Sequence, residues 1–108
     1  MIDWHQVDQL RDEIGPDDFA EVAGVFLREV DRTLAGLDSR STELAAALHF
    51  LKGSALNLGM SGLARLCAEG EAAARAGRPV PDPGRLRPVF DASRAALERG
   101  LAERYTAA

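Results

Sequence analysis

The sequence predicts an all-α protein, an antiparallel up-down-up-down four-helix bundle with a short additional N-terminal helix. Apolar residues recur every three or four positions along almost the whole chain, and no stretch alternates like a strand between turn signals. Capping residues, glycines and prolines divide the chain into five segments with short connections. Because 108 residues is the length of one domain, we expect residues 1–108 to form a single helical bundle.

The first two predicted helices meet at Gly15 and Pro16. Asp3 can cap the first helix, with Gln6 three residues later, and Gly15 ends it. Pro16 suits the first position of a long second helix. The apolar positions expected in these two helices are Trp4, Val7, Leu10 and Ile14, followed by Phe19, Val22, Phe26, Val30, Thr33 and Leu37.

The third and fourth helices are expected on either side of Gly59. Ser41 is a candidate cap for a third helix from about residue 42 to residue 58, and Gly59 stops it. Ser61 can cap a fourth helix that ends at Gly77. The apolar positions expected in the fourth helix are Leu63, Leu66, Cys67, Gly70 and Ala74.

The last helix follows a loop over residues 78–84. Pro88 lies either in the first turns of this helix or marks a later start, because proline is tolerated only near a helix N-terminus. The periodic positions that this helix carries are Leu86, Phe90, Ser93, Leu97 and Leu101.

Charge and composition restrict the possible partners. A formal charge of −4 and a sequence pI near 5.1 do not provide the clustered positive field that nucleic acids and anionic membranes require, so we expect a protein partner. The single Cys67 cannot form an intramolecular disulfide and is expected to be a small buried hydrophobe. The N-terminus lacks the regions of a signal peptide and no run reaches 18 apolar residues, which predicts a cytoplasmic protein.

The third helix places His49 on its outward face. Each residue of an α-helix is rotated by roughly 100° from the one before it. Six apolar residues of the third helix then fall within an arc of about 100°, which is the expected core stripe. The stripe consists of Leu44, Ala47, Leu48, Leu51, Ala55 and Leu58. His49 lies about 160° from Leu51, so its imidazole should meet solvent. The residues within roughly 60° of His49 on this face are Ala45, Lys52, Gly53 and Leu56.

Three features of this face indicate a docking surface. Gly53 costs about 1 kcal/mol relative to alanine in the middle of a helix, and because it points outward the core does not need it. Leu56 and Ala45 provide apolar surface that a partner could cover. Lys52, the chain's only lysine, lies one turn from His49, within reach of a group attached to the imidazole.

The run LHFLKGSALNLGM closely resembles the signature of histidine-containing phosphotransfer (HPt) domains of bacterial two-component phosphorelays. The segments IDWHQVDQLRDEIG, DDFAEVAGVFL and LARLCAEGEAAARAG also resemble family segments, so the similarity covers essentially the whole chain. The resemblance implies a helical bundle that accepts a phosphoryl group on His49 from a receiver-domain aspartate of a hybrid kinase or response regulator. It further implies transfer to another receiver domain, which supplies the acidic residues and Mg²⁺.

The resemblance also implies roles for individual atoms. Nε2 of His49 would attack, and a carboxylate that accepts a hydrogen bond from Nδ1 would fix the tautomer. Glu71 is the candidate, and the alternative is a solvated helix charge paired with Arg75 at i+4. Lys52 would stabilise the phosphoryl charge.

The sequence contains no glycine-rich phosphate loop, nucleotide motif or metal-binding carboxylate cluster, which predicts a phosphocarrier without autokinase activity and without a cofactor of its own. A metal-binding or hydrolytic enzyme is disfavoured because His5 and His49 lie on separate helices and no HExxH spacing occurs. An interaction module that does not transfer phosphate is disfavoured because His49, Lys52 and Gly53 are all present. His5 is expected to be structural or neutral. With one outward site and no second apolar stripe, a monomer is predicted.

Overall fold

The computed structural model describes residues 2–105, which form five α-helices. The helices are α1 (Trp4–Ile14), α2 (Pro16–Ala35), α3 (Leu44–Asn57), α4 (Ser61–Arg75) and α5 (Leu86–Tyr105), with a short 3₁₀ turn at Pro83–Arg85. The predicted all-α class is therefore confirmed. No helix within the described range is both long and apolar enough to cross a bilayer.

The boundary between α1 and α2 lies where the sequence predicts it. The Asp3 carboxylate accepts a hydrogen bond from the backbone N–H of Gln6 at 3.3 Å, which caps α1. Gly15 follows α1 with φ of 100°, a conformation that side-chain-bearing residues rarely adopt, and α2 begins at Pro16. This sharp junction lets two helices follow each other without a loop.

The predicted apolar face of α2 is partly wrong. Phe19 and Val30 are buried as expected, but Val22 and Phe26 are only half-buried, and Leu37 lies beyond the end of the helix. The remaining buried positions are Ala23, Leu27 and Leu34. Each lies one residue after a predicted position, about 100° around the helix, and both sets fit a 3.6-residue period. Periodicity alone could not choose between these two overlapping stripes.

The predicted start of α3 is two residues early. Ser41 Oγ accepts a hydrogen bond from the N–H of Glu43 at 3.1 Å, so Ser41 forms a turn just before the helix and does not cap it. Five of the six predicted core residues are buried, and Ala47 is half-buried. The five are Leu44, Leu48, Leu51, Ala55 and Leu58.

The turn between α3 and α4 requires glycine. Gly59 has φ of 71°, and a Cβ there would lie 2.5 Å from the backbone oxygen of Asp3. The Asp3 N–H donates to the Gly59 carbonyl at 2.7 Å, which attaches the start of α1 to this turn. Ser61 is the first residue of α4 and not its cap, and α4 ends at Arg75, two residues before the predicted Gly77.

Helices α3 and α4 form the most extensive helix pair of the bundle. Gly70 allows their close approach, because a Cβ at this position would lie 3.0 Å from Leu48 Cδ1. Leu51, Leu63 and Cys67 are completely buried. This packing fixes the register between α3 and α4, and the register positions the site described next.

Candidate functional site

His49 lies on the exposed side of α3, as predicted, with 63% of its side chain accessible. Its Nδ1 is 3.0 Å from Oε2 and 3.3 Å from Oε1 of Glu71 on α4. Because Nδ1 faces this carboxylate, Nε2, on the other side of the ring, is directed away from α4. The imidazole is therefore anchored at one nitrogen and accessible at the other.

Glu71 is the one largely buried member of this cluster, with 10% of its side chain exposed. Lys52 Nζ lies 3.1 Å from Oε1, and Arg75 Nε donates to Oε2 at 2.9 Å. Hydrogen bonds from Lys52 and Arg75, with a smaller contribution from His49, lower the pKa of Glu71 from 4.5 to about 2, against the opposing effect of burial. Glu71 is therefore ionised throughout the neutral range.

The ionised carboxylate determines the tautomer of His49. A carboxylate can only accept hydrogen bonds, so Nδ1 must carry the proton in this contact. In the neutral ring Nε2 then keeps its lone pair and can act as a nucleophile. The arrangement thus offers an oriented nucleophile on the protein surface, beside a cation.

The structure brings together the side chains of His49, Lys52 and Glu71, which the sequence predicts to act in phosphoryl transfer. Lys52 lies one turn from His49, as predicted. Its contact with Glu71 was not predicted. Glu71 contacts both His49 and Arg75, so the two alternatives for this residue coexist, although the carboxylate is buried and not solvated. One ion-pair network between α3 and α4 thus holds His49, Lys52 and Glu71 together.

The residues predicted for docking surround the imidazole on α3. Leu56 is 51% exposed, Gly53 is exposed, and Ala45 is half-buried. A Cβ at Gly53 would meet no atom within 4 Å, so the packing of the free protein does not require glycine there. These positions form a surface next to His49 to which Leu56 contributes an exposed apolar side chain.

The family of the chain follows from a comparison with family models. The model of the Hpt domain matches residues 5–103. The chain belongs to the Hpt domain family. Hpt domains are phosphocarriers that act in histidine phosphotransfer in phosphorelays. No curated protein and no solved structure matched the chain.

Phe50 is an exposed residue of the Hpt domain that is not among the predicted site residues. It is 43% exposed, which is unusual for a phenylalanine. Phe50 and Lys52 are each rotated by about 100° around the helix from the buried Leu51, in opposite directions. Because Lys52 contacts Glu71, Phe50 lies on the edge of α3 that faces away from Glu71. An aromatic residue outside the core stripe and next to His49 was the signal that could have identified it.

The other candidate side chains of the Hpt domain lie outside this network. His5 is exposed on α1. Cys67 is completely buried, and burial raises the pKa of its thiol to about 11, so it is an unreactive core residue as predicted. Within residues 2–105, no three His, Cys, Asp or Glu side chains form a group that could hold a metal ion.

Proposed function

We propose that this Hpt domain accepts a phosphoryl group on Nε2 of His49 from the phosphorylated aspartate of a receiver domain and passes it to another receiver domain. The donor receiver belongs to a hybrid kinase or a response regulator. The observation that carries the proposal is the contact between His49 Nδ1 and the ionised Glu71 on an otherwise exposed helix face. Family membership supports the same reaction class.

The transfer requires no base from the Hpt domain. The Nε2 lone pair attacks phosphorus, the P–O bond to the receiver aspartate breaks, and the electron pair leaves with the aspartate carboxylate. Nδ1 keeps its proton, so the ring becomes cationic and Glu71 stabilises it across 3.0 Å. Transfer to the next receiver reverses these bond changes, and the neutral imidazole is restored.

The remaining components come from the partner. The sequence has no nucleotide-binding motif, so we propose that the domain has no autokinase activity and depends on a phosphorylated receiver. The receiver supplies Mg²⁺ and the acidic residues that hold it. Its loops would dock on Ala45, Gly53 and Leu56, and the exposed Phe50 extends this apolar surface.

We also propose the order and direction of the helices in the bundle. Packing of α2 on α3, α3 on α4, α4 on α5 and α5 on α2 supports an antiparallel up-down-up-down bundle, with α1 across one end. We propose a single domain that acts as a cytoplasmic monomer, without a nucleic-acid or membrane partner. The negative net charge supports this choice of partner class.

A phosphotransfer assay tests the function. A purified receiver domain carrying radiolabelled aspartyl phosphate is incubated with the Hpt domain and Mg²⁺, and we expect the label to move to the Hpt domain. The label should be lost in acid and retained in base, because phosphohistidine is labile in acid and phosphoserine is not. Absence of transfer from every receiver of the source organism would contradict the proposal.

Lys52→Ala should slow phosphoryl acceptance or shorten the lifetime of the phosphorylated form by about threefold to tenfold, without abolishing transfer. The reason is that a partly exposed cation one turn from His49 contributes modestly to holding the phosphate. Single-turnover transfer and the decay of phosphohistidine measure the two effects. Arg99→Gln, which removes an exposed cation from α5, is the control for net charge and should behave as wild type. Unchanged rates in Lys52→Ala would remove Lys52 from the site.

A further inference from the structure

The Glu71 carboxylate has a separate cation on each of its oxygens. Lys52 Nζ lies 3.1 Å from Oε1, whereas Arg75 Nε lies 2.9 Å from Oε2, the oxygen that is also nearest to His49 Nδ1. The free protein therefore has two cations around one carboxylate. One cation would be enough to neutralise Glu71, so the second needs an explanation.

We propose that Lys52 leaves Glu71 for the phosphoryl group when His49 is phosphorylated, and that Arg75 is the positioning residue that holds Glu71 against Nδ1 throughout the exchange. This inference rests on the proposed function and adds a residue and a movement to it. Arg75 does not touch the reacting atoms; it acts through Glu71.

The geometry favours Lys52 as the cation that moves. Lys52 is on α3, three residues from His49, and its ammonium is carried by a flexible four-carbon chain with three donors. Arg75 is on α4, four residues from Glu71, and its planar guanidinium is better suited to a fixed contact with a carboxylate. The ion pair of Arg75 with Glu71 within α4 can stay intact while the contact of Lys52 with Glu71 between α3 and α4 opens.

The charges favour the same exchange. A phosphoryl group adds close to two negative charges beside Glu71, while the protonated ring carries one positive charge. Together with the Glu71 carboxylate this leaves about two negative charges, which Lys52 and Arg75 balance. Without Arg75, the largely buried carboxylate would keep the cationic ring as its one charged partner once Lys52 moved, and the site would carry about one unbalanced negative charge, a less favourable state.

Arg75→Gln should slow phosphoryl acceptance, or shorten the lifetime of the phosphorylated form, by about threefold to tenfold. Arg75→Lys should restore much of the loss, because it returns a cation to the same helix position. Arg65→Gln is the matched control, since Arg65 is an exposed arginine on a different side of α4, and it should transfer at the wild-type rate.

A double variant separates a positioning role from a general structural role. A neutral amide at position 71 needs no cation, so in a Glu71→Gln background the Arg75→Gln change should have no further effect on transfer. Two measurements on the wild type and on Arg75→Gln complete the test. Carbon NMR of the unphosphorylated proteins should show that the Glu71 pKa rises in Arg75→Gln and is unchanged in Arg65→Gln. Nitrogen NMR of the Lys52 ammonium should shift on phosphorylation of the wild type.

The outcomes distinguish the two proposals. If no variant and no wild-type protein accepts the label, the proposed function fails and this inference fails with it. If wild type accepts the label and Arg75→Gln transfers equally well, only the role of Arg75 is wrong. The same holds if Arg75→Gln slows transfer by the same factor in the wild-type and in the Glu71→Gln background. A Lys52 ammonium signal that does not change on phosphorylation would overturn the exchange.

Discussion

His49→Gln should reduce phosphoryl acceptance to background while the bundle stays folded. Glutamine has no ring nitrogen with a nucleophilic lone pair, so the P–N bond cannot form. The fold should tolerate the change because His49 is 63% exposed and both side chains are accepted in helices. We expect the free energy of unfolding to change by less than about 0.5 kcal/mol, as for most surface substitutions. Label transfer from a phosphorylated receiver and thermal unfolding measure the two effects.

His5→Gln is the matched control for this experiment. His5 is the only other histidine of the chain and lies exposed on α1, so the same substitution removes an imidazole from a surface helix without touching Glu71. It should accept the phosphoryl group at the wild-type rate. Loss of acceptance in His5→Gln, with retention in His49→Gln, would reverse the assignment of the phosphorylated residue.

The direction of His49 could be predicted because it depends only on one helix. A stripe of leucines fixes which side of α3 is buried, and rotation by 100° per residue then places every other side chain relative to it. In α2, rotation along one helix does not identify the buried side. There the neighbouring residues Phe26 and Leu27 are both apolar, and only the packing of the bundle selects Leu27 for burial.

The ion-pair network could not be predicted to the same degree because it depends on two helices. Glu71 reaches His49 only if α4 has one particular register against α3. That register depends on the left-handed conformation of Gly59 in the turn and on the contact of Gly70 with Leu48. The pattern of residues along one helix indicates neither the conformation of Gly59 nor the contact of Gly70 with Leu48. Glu71 was therefore a candidate from resemblance, while its contact with Lys52 appears only in the structure.

The start of α3 could not be predicted to the residue either, for a local reason. Ser41 has the side chain of a cap, but its hydroxyl accepts from an N–H two residues later and closes a separate turn, so α3 begins at Leu44. Serine hydroxyls form both arrangements. The glycine stop at Gly15 was predictable because few other residues adopt its positive φ.

Gly53→Gln should stabilise the free Hpt domain and slow phosphoryl transfer at the same time. Replacing a mid-helix glycine by a good helix former should raise the free energy of unfolding by about 0.5 to 1 kcal/mol, since a Cβ at Gly53 meets no atom within 4 Å. Transfer should fall by roughly 100-fold, because a long side chain one turn from His49 would hold the receiver away and in-line transfer does not tolerate displacements of about 1 Å.

The position and the size of the side chain can be tested separately. Gly62→Gln is the control for position: Gly62 is also a helical glycine with open space around its Cβ, but it lies near the start of α4, and its variant should transfer at the wild-type rate. Gly53→Ala should gain similar stability with a smaller loss of transfer, because its side chain is shorter. We expect the loss to appear as weaker binding of the receiver, measured by titrating the receiver in single-turnover assays. If Gly53→Gln were stabilised and still transferred at the wild-type rate, Gly53 would not clear a docking surface, because neither the core nor the partner would then require glycine at this position.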